Sequence, residues 1–289
     1  MMMEPNYYVF TGGRIPDHVT HVLIDEALKF VPRRAFFMHP NIQELICHDG
    51  VEKIGREAFC FCPSLRRVLM PGVKEIKKGA FVSCTALPYI ECGKLEIIRM
   101  AAFLDCTSLS SVDLPSVRIV EGGAFTACEN LTNAKFGMEL ESIRSQAFYN
   151  CPSLERITLP LKDGLITHDD TFQHRTNVHH VDLVGGVHET IDALLLEEWK
   201  NDMNDEIDSI DQILPNTTAG NWNDPGGKAR AIREWITSVL RKIIHYKVEH
   251  RRYLNVAAAT LQPALPNDIV FKNVLAFLEL PSYTFDGED

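Results

Sequence analysis

The chain repeats one short arrangement of apolar residues. A small residue followed by phenylalanine recurs at intervals of 22 to 24 residues over the first two thirds of the chain. Cysteine follows five of these phenylalanines after three residues, and isoleucine or valine commonly precedes them by five. The phenylalanines that set the phase are Phe36, Phe59, Phe81, Phe103, Phe125, Phe148 and Phe172. A fixed period of this length is the signature of a protein built by stacking one structural unit on the next.

Each unit contains one predicted short strand. Leu65, Val68 and Met70 are separated by three and then two residues, and the same spacing begins again at Leu87 and at Leu109. The final step of two is the period of a strand that buries one face and exposes the other. One unit cannot bury its apolar face alone, so the pattern predicts a solenoid in which neighbouring units bury each other.

Equivalent side chains are expected to form columns through this solenoid. Phenylalanine would stack on phenylalanine and cysteine on cysteine at about the 4.8 Å spacing of neighbouring strands. The segments that carry Ala-Phe are expected to turn the chain back as one helical turn. The cysteine column is interpreted as structural, because buried cysteine behaves as a small hydrophobe. A soft-metal site is the alternative, but the paired Cys-x-x-Cys spacing typical of zinc sites does not occur.

These residues resemble the leucine-rich repeats of the BspA type, whose units read Glu-Ala-Phe-x-x-Cys-x-x-Leu-x-x-Ile-x-Leu-Pro. The resemblance covers about residues 19–186. It implies an α/β leucine-rich-repeat solenoid of seven to eight short parallel strands with short helical or irregular returns, followed by a C-terminal α-helical segment. It also implies a non-catalytic protein-interaction scaffold. The tail around Trp235, His245 and Leu265 is similar to the ends of such repeat proteins in unicellular algae.

The pattern outside the repeats divides the chain further. The predicted segments are an N-terminal cap at 1–18, the solenoid at 19–186, an acidic helix and loop at 187–224, and a basic amphipathic helix and C-terminal short helix at 225–289. Apolar residues at helical spacing predict one helix face over 188–214, a long helix over 228–262 and a short one over 267–279.

The two predicted long helices carry opposite charge. Residues 187–224 hold ten acidic side chains and one basic, and residues 228–252 hold eight basic and two acidic. We therefore expect these helices to pack against each other. The alternative is that the basic face binds an acidic partner or a nucleic acid.

A partner is expected on the concave side, where the strands offer every second side chain to solvent. One row of such side chains begins with the apolar residues Leu23, Ile46 and Leu69. Tyr89 and Arg67 lie beside them, and these two residue types are common in interface hot spots. The alternatives are that the N-terminal cap covers this corner, or that strand propensity explains the apolar residues. The candidate contacts for a protein or peptide are Leu23, Ile46, Arg67, Leu69, Tyr89, Glu91, Asp113, Lys135 and Arg156.

Composition narrows the function classes. The 289 residues are 45% hydrophobic and 24% charged, with a net charge of −10, so the whole chain is not a general nucleic-acid binder. No apolar stretch is long enough to span a membrane. Residues 1–8 carry no signal-peptide pattern, which favours the cytoplasm, or the nucleus, with all cysteines reduced.

No catalytic motif, metal-ligand spacing or cofactor fingerprint is found, so no enzyme, metal or cofactor is predicted. Five histidines between 168 and 188 are interpreted as surface residues, with a metal or pH-sensing cluster as the alternative.

Two other functions remain open. Residues 265–278, beginning Leu265-Pro266-Asn267-Asp268, resemble the opening of an F-box, which implies a ubiquitin-ligase substrate receptor. The basic C-terminal helix could instead bind nucleic acid. The sequence leaves the ligand and the oligomeric state open.

Overall fold

Fourteen parallel strands form the body of the molecule in the computed structural model, which describes residues 7–214 and 227–261. In chain order the strands are β1 (Tyr8–Phe10), β2 (His21–Ile24), β3 (Phe30–Val31), β4 (Glu44–Ile46), β5 (Lys53–Ile54), β6 (Arg67–Leu69), β7 (Glu75–Ile76), β8 (Ile97–Ile98), β9 (Ser111–Leu114), β10 (Ile119–Val120), β11 (Asn133–Phe136), β12 (Ser142–Ile143), β13 (Arg156–Pro160) and β14 (His180–Val184).

The strands form ladders on two sides of a solenoid. The longer strands pair in the orders β1-β2-β4-β6 and β9-β11-β13-β14, and we call the surface they share the strand face. The two-residue strands form a second sheet, in the order β3-β5-β7-β8-β10-β12. The repeat spacing did not predict this second sheet, because two residues are too few to show alternation.

A column of phenylalanine rings runs through the core, as the period predicts. Consecutive rings from Phe36 to Phe172 lie with their centroids 4.5 to 5.7 Å apart and their planes within 9° of parallel. The ring of Phe10 packs against Phe36 at 4.8 Å, so β1 supplies the first member of the column. Phe103 in the middle is fully buried. The solenoid fold and its ring column are therefore confirmed.

The cysteine column does more than fill space. Each buried thiol donates a hydrogen bond to the carbonyl of the core phenylalanine one unit earlier, as from Cys106 to Phe81 at 3.1 Å. The same bond joins Cys62 to Phe36, Cys84 to Phe59, Cys128 to Phe103 and Cys151 to Phe125. Thr176 takes this role in the last unit and bonds the carbonyl of Phe148 at 2.7 Å. The Phe81 carbonyl also accepts the backbone N–H of Cys84 at 3.2 Å, so the thiol is its second donor and links one unit to the next.

The returns around the core phenylalanines are not helical, and the expected helical turn was wrong for most units. Each return contains two residues with left-handed backbone, as at Ala101 (φ 54°) and Asp105 (φ 60°) on either side of Phe103. Gly79 and Gly123 occupy the first of these positions in their units. Only residues Asp169–Phe172 form a short 3-10 helix among the described returns. Two left-handed residues bend the chain more sharply than one helical turn.

The strand face is interrupted in its middle. The residues around Tyr89 were predicted as a strand, but they make only a single bridge, from Glu91 to Leu69. Pro88 occupies the position in its unit that Arg66 and Thr132 occupy in theirs. Each of those two residues donates its backbone N–H to a carbonyl of the preceding unit. Because proline has no N–H, this unit lacks that ladder bond and does not form a strand, although the Pro88 carbonyl still accepts the N–H of Ser110 at 2.9 Å.

Helices close the C-terminal end. They are α1 (Val187–Asp192), α2 (Glu197–Asp208), α3 (Ile210–Ile213) and α4 (Gly227–Leu261). The single helix face predicted over 188–214 is therefore broken twice. The first break lies at Leu194, Leu195 and Leu196, which would project on several sides of a continuous helix, and it buries Leu194. The predicted helix at 267–279 and the F-box-like segment lie outside the described residues.

The acidic and basic helices pack together, as their charges predict. Lys242 of α4 contacts Asp202 at 3.0 Å and Glu206 at 2.9 Å, both on α2. The Tyr246 hydroxyl donates to Asp202 at 2.7 Å, and together with Lys242 it holds the pKa of that carboxyl below its ordinary value. Helix α4 also reaches the last repeat, where the Lys228 ammonium donates to the carbonyl of Val178 at 2.6 Å.

We predict that Phe103→Ala lowers the free energy of unfolding by about 3–5 kcal/mol, the usual loss when a buried aromatic side chain is truncated. Chemical denaturation of the variant and the parent chain would measure it. A loss below about 1 kcal/mol would mean that the ring column does not carry the core.

A second prediction isolates the thiol hydrogen bond. Thr and Val have nearly the same shape, but only Thr retains a donor for the Phe81 carbonyl. We expect Cys106→Thr to be more stable than Cys106→Val by about 0.5–1.5 kcal/mol, the net contribution of one hydrogen bond, because the carbonyl keeps its backbone donor from Cys84 in both variants. Equal stabilities of the two variants in urea would show that the thiol serves only to fill volume.

Candidate partner-binding surface

Side chains on the strand face line up in two rows. One row contains His21, Glu44 and Arg67, and the other contains Leu23, Ile46 and Leu69, each paired in register with its neighbour. The rows resume beyond the interruption, where Asp113 pairs with Lys135 and Asn133 with Arg156. The structure therefore places the nine sequence-predicted contact residues on one surface, with Tyr89 at the interruption.

The apolar part of this face is longer than the sequence indicated. Val9 of β1 pairs in register with Leu23, which extends the run to four residues on four adjacent strands. We call Val9, Leu23, Ile46 and Leu69 the apolar row. Strand β1 lies beside β2 in the sheet and not over it, and Val9 itself is 47% exposed. The N-terminal cap therefore lengthens the apolar row, although its Tyr7 covers part of the other row by packing edge-on against His21 at 5.4 Å.

Arg67 holds a charged network beside the apolar row. Its Nη1 donates to Glu44 Oε1 at 2.8 Å, and its Nε lies 3.5 Å from Glu91 Oε1. Glu44 is buried and also accepts a 2.5 Å hydrogen bond from the hydroxyl of Tyr7. This bond raises the pKa of Tyr7. Arg67 and Glu91 are thus held in place before any partner arrives.

The other half of the face is charged and internally paired. Arg156 Nη1 contacts both carboxylate oxygens of Asp182 at 2.8 Å, and Lys135 lies 3.9 Å from Asp113. These side chains are about half exposed or more, and exposed pairs of this kind contribute little. This half of the strand face is therefore polar, with its charges paired to one another.

The second sheet carries an ion-pair column that sequence reasoning missed. Buried Glu75 accepts hydrogen bonds from Lys77 and Arg99, each at 2.7 Å. Arg99 also donates to Glu121 at 2.7 Å. The sequence signal is a charged residue one position after the core isoleucine or valine of three consecutive units, namely Lys77, Arg99 and Glu121. This column fixes neighbouring units. On the strand face, by contrast, apolar residues lie in register with Val9 exposed and Leu23, Ile46 and Leu69 half-buried.

Three other possibilities that bear on function are a metal site, reactive cysteines and a membrane-spanning segment. In the described ranges no group of three or more His, Cys, Asp or Glu side chains is arranged to hold a metal ion. Burial raises the pKa of Cys62, Cys106 and Cys151 to about 12, so these thiols stay protonated. No helix within residues 7–214 and 227–261 is long and apolar enough to cross a membrane.

The basic side chains of α4 serve internal contacts in part. Arg233 pairs with Asp169 of the last repeat, and Arg230 lies 3.5 Å from the same carboxylate. Together with Lys242 and Lys228 they tie α4 to the solenoid and to α2. Part of the positive charge of α4, which suggested a nucleic-acid surface, is thus neutralised or hydrogen-bonded within the molecule.

The repeated geometry agrees with one family. A sequence profile described as "BspA type Leucine rich repeat region" matches six copies, over residues 29–118 and 96–198, which together make up more than half of the chain. The chain belongs to the BspA-type leucine-rich repeat family. Leucine-rich repeat proteins of this fold are typically non-catalytic scaffolds. None of the curated proteins compared with the chain matches it.

Several solved structures are similar to this BspA-type chain. A leucine-rich repeat protein of T. pallidum is 27% identical, covering 52% of this chain and 68% of that one with a TM-score of 0.44. One from Bacteroides ovatus is 20% identical, covering 62% and 69% with a TM-score of 0.29. The Toll–Spatzle complex of Drosophila contains a chain that is 18% identical, covering 57% and 23% with a TM-score of 0.38.

We predict that the folded chain resists alkylation at its column cysteines. The reactive species is the thiolate, and the raised pKa of Cys62, Cys106 and Cys151 keeps it scarce until the pH approaches 12. Iodoacetamide labelling at pH about 8.5, followed by mass spectrometry, should be at least about tenfold slower in the native protein than in urea, where the pKa returns to about 8.5. Equal rates would show that the column is open to solvent.

Proposed function

We propose that the protein is a non-catalytic scaffold that binds a peptide or protein partner on the strand face, anchored on the apolar row. The observation that carries the proposal is the register of Val9, Leu23, Ile46 and Leu69. Four apolar side chains on adjacent strands form a continuous strip about 15 Å long at the spacing of parallel strands. A strip of this kind on a monomer surface favours burial by a partner.

The residues around the apolar row add specificity. Tyr89 is 44% exposed at the end of the strip, and aromatic residues are common anchors in interfaces. Arg67 and Glu91 are already oriented by their network, so little side-chain entropy is lost when a partner binds them. Asp113, Lys135 and Arg156 form the polar border of the same site.

We also propose that this scaffold acts in the cytoplasm or nucleus. The thiol column supports this, because five donors in the core work only as reduced cysteines. Imaging of a fluorescent fusion in the native cell tests the location, and a signal confined to the cell surface would contradict it.

The double substitution Ile46→Asp with Leu69→Asp should abolish partner capture, because two carboxylates would have to be desolvated in the centre of the apolar row. Affinity purification from native cells, followed by quantitative mass spectrometry, measures the loss. Circular dichroism and urea unfolding check that the variant is folded.

A matched control places the same charges on the other half of the same face. Ser111→Asp with Thr158→Asp adds two carboxylates outside the apolar row and should leave most of the captured proteins in place. If both double variants lose the same partners, or neither loses any, the apolar row is not the anchor.

A further inference from the structure

A second apolar surface lies on the edge of the solenoid where the chain turns around the first two core phenylalanines. Met38 is 61% exposed and Phe61 is 47% exposed. The ring of Phe61 meets Phe37 edge-on at 6.2 Å, and the guanidinium of Arg34 lies 4.9 Å from the centre of the Phe37 ring. We call Phe37, Met38 and Phe61 the turn patch.

The backbone at this patch is strained for the side chains it carries. Met38 and Phe61 have φ near +60°, the left-handed region that favours glycine, asparagine and aspartate. In later units the equivalent position holds smaller or polar residues, namely Ser83, Asp105, Ala127 and Asn150. A bulky apolar residue that is both strained and half exposed contributes poorly to folding. Such positions point to a role outside stability.

A basic pocket adjoins the turn patch. It has a volume of about 510 Å³ between the loop at 13–17 and the turn at 32–40, and Phe37 and Met38 form part of its wall. Arg14 and Arg33 also line it, and neither makes an ion pair with any residue that the structure describes. Asp17 is the only carboxylate among the lining residues of the described chain.

A buried histidine in the pocket wall has unused hydrogen-bonding capacity. His39 is 7% exposed, and its Nε2 lies 3.1 Å from the carbonyl of Pro16. A carbonyl only accepts, so Nε2 is the donor. Its Nδ1 has no hydrogen-bond partner among the described residues. With Nε2 protonated, the buried Nδ1 can only accept and does not recognise a carboxylate, so the positive charge of the pocket comes from Arg14 and Arg33 beside its apolar rim.

We propose that the turn patch and its pocket bind an acidic segment of a partner protein, in which an apolar or aromatic side chain lies close to Asp or Glu. The apolar side chain packs on Phe37, Met38 and Phe61. The carboxylate pairs with Arg14 and Arg33, since the guanidinium group matches carboxylate geometry. This site is separate from the strand face and does not depend on the function proposed there.

The first experiment uses stability and needs no ligand. Phe61→Asn places at position 61 the residue that the sixth unit already uses, and Ala127→Asn makes the same change away from the patch. If Phe61 serves binding, the urea midpoint of Phe61→Asn equals or exceeds that of the parent chain, as it does for Ala127→Asn. A clear drop for Phe61→Asn alone would overturn the proposal, because Phe61 would then be needed for the fold.

The second experiment tests the chemistry of the partner. A phage-displayed library of random 12-residue peptides is selected on the immobilised full chain carrying Ile46→Asp and Leu69→Asp, which removes peptides that need the strand face. We expect peptides with Asp or Glu near Phe, Trp or Leu, and at least tenfold weaker binding after Phe61→Asn or Arg14→Glu.

Several outcomes would refute the site. These are enrichment of basic peptides, binding that survives both substitutions, or no enrichment at all. Binding to phosphatidylserine vesicles that Phe61→Asn abolishes, without any peptide preference, would identify a lipid surface and also overturn the proposal.

Discussion

The stacking of one phenylalanine ring on the next is the contact on which the rest of this structure depends. Seven rings from Phe36 to Phe172, 4.5 to 5.7 Å apart, set the distance between units and so bring the strands into hydrogen-bonding register. Register then decides which residues become neighbours on the surface. Ile46 and Leu69 are 23 positions apart in sequence, yet they lie side by side because their units are stacked in phase. In a solenoid each unit contacts mainly its neighbours, so surface properties are set by runs of adjacent units.

The cysteine column shows how one side chain meets two requirements. The core position beside each phenylalanine is small and apolar, and it also offers a second donor to the phenylalanine carbonyl of the preceding unit. Cysteine meets both requirements, and at the C-terminal end Thr176 replaces it with a hydroxyl. At the N-terminal end His39 takes the same place and bonds the carbonyl of Pro16. The two ends thus use more polar donors than the five central units.

Much of the fold could be read from the sequence because the period repeats in seven units. The ring column, the rows of the strand face and the pairing of acidic with basic helices all followed from spacing and charge. The left-handed turns could not be predicted, because Arg34, Glu57 and Phe61 are not of the residue types, glycine, asparagine and aspartate, that favour a positive φ. The interruption at Tyr89 was not predicted, although the sequence carries its cause, since Pro88 lacks the N–H that this position needs. The break at Leu194 could not be predicted either, because the apolar spacing of one helix does not show which of three consecutive leucines becomes buried.

The missing ladder bond at Pro88 also determines how the two halves of the strand face are joined. On the strand face, strand pairing is lost between Glu91 and Ser111 and a single backbone bond, from Ser110 to Pro88, remains, whereas the second sheet continues without a break through β7, β8 and β10. The apolar and the charged halves of the strand face are therefore joined mainly from behind, by the second sheet and by the stacked rings of Phe81 and Phe103. The solenoid thus changes its surface chemistry at the same rung where its front ladder is thinnest.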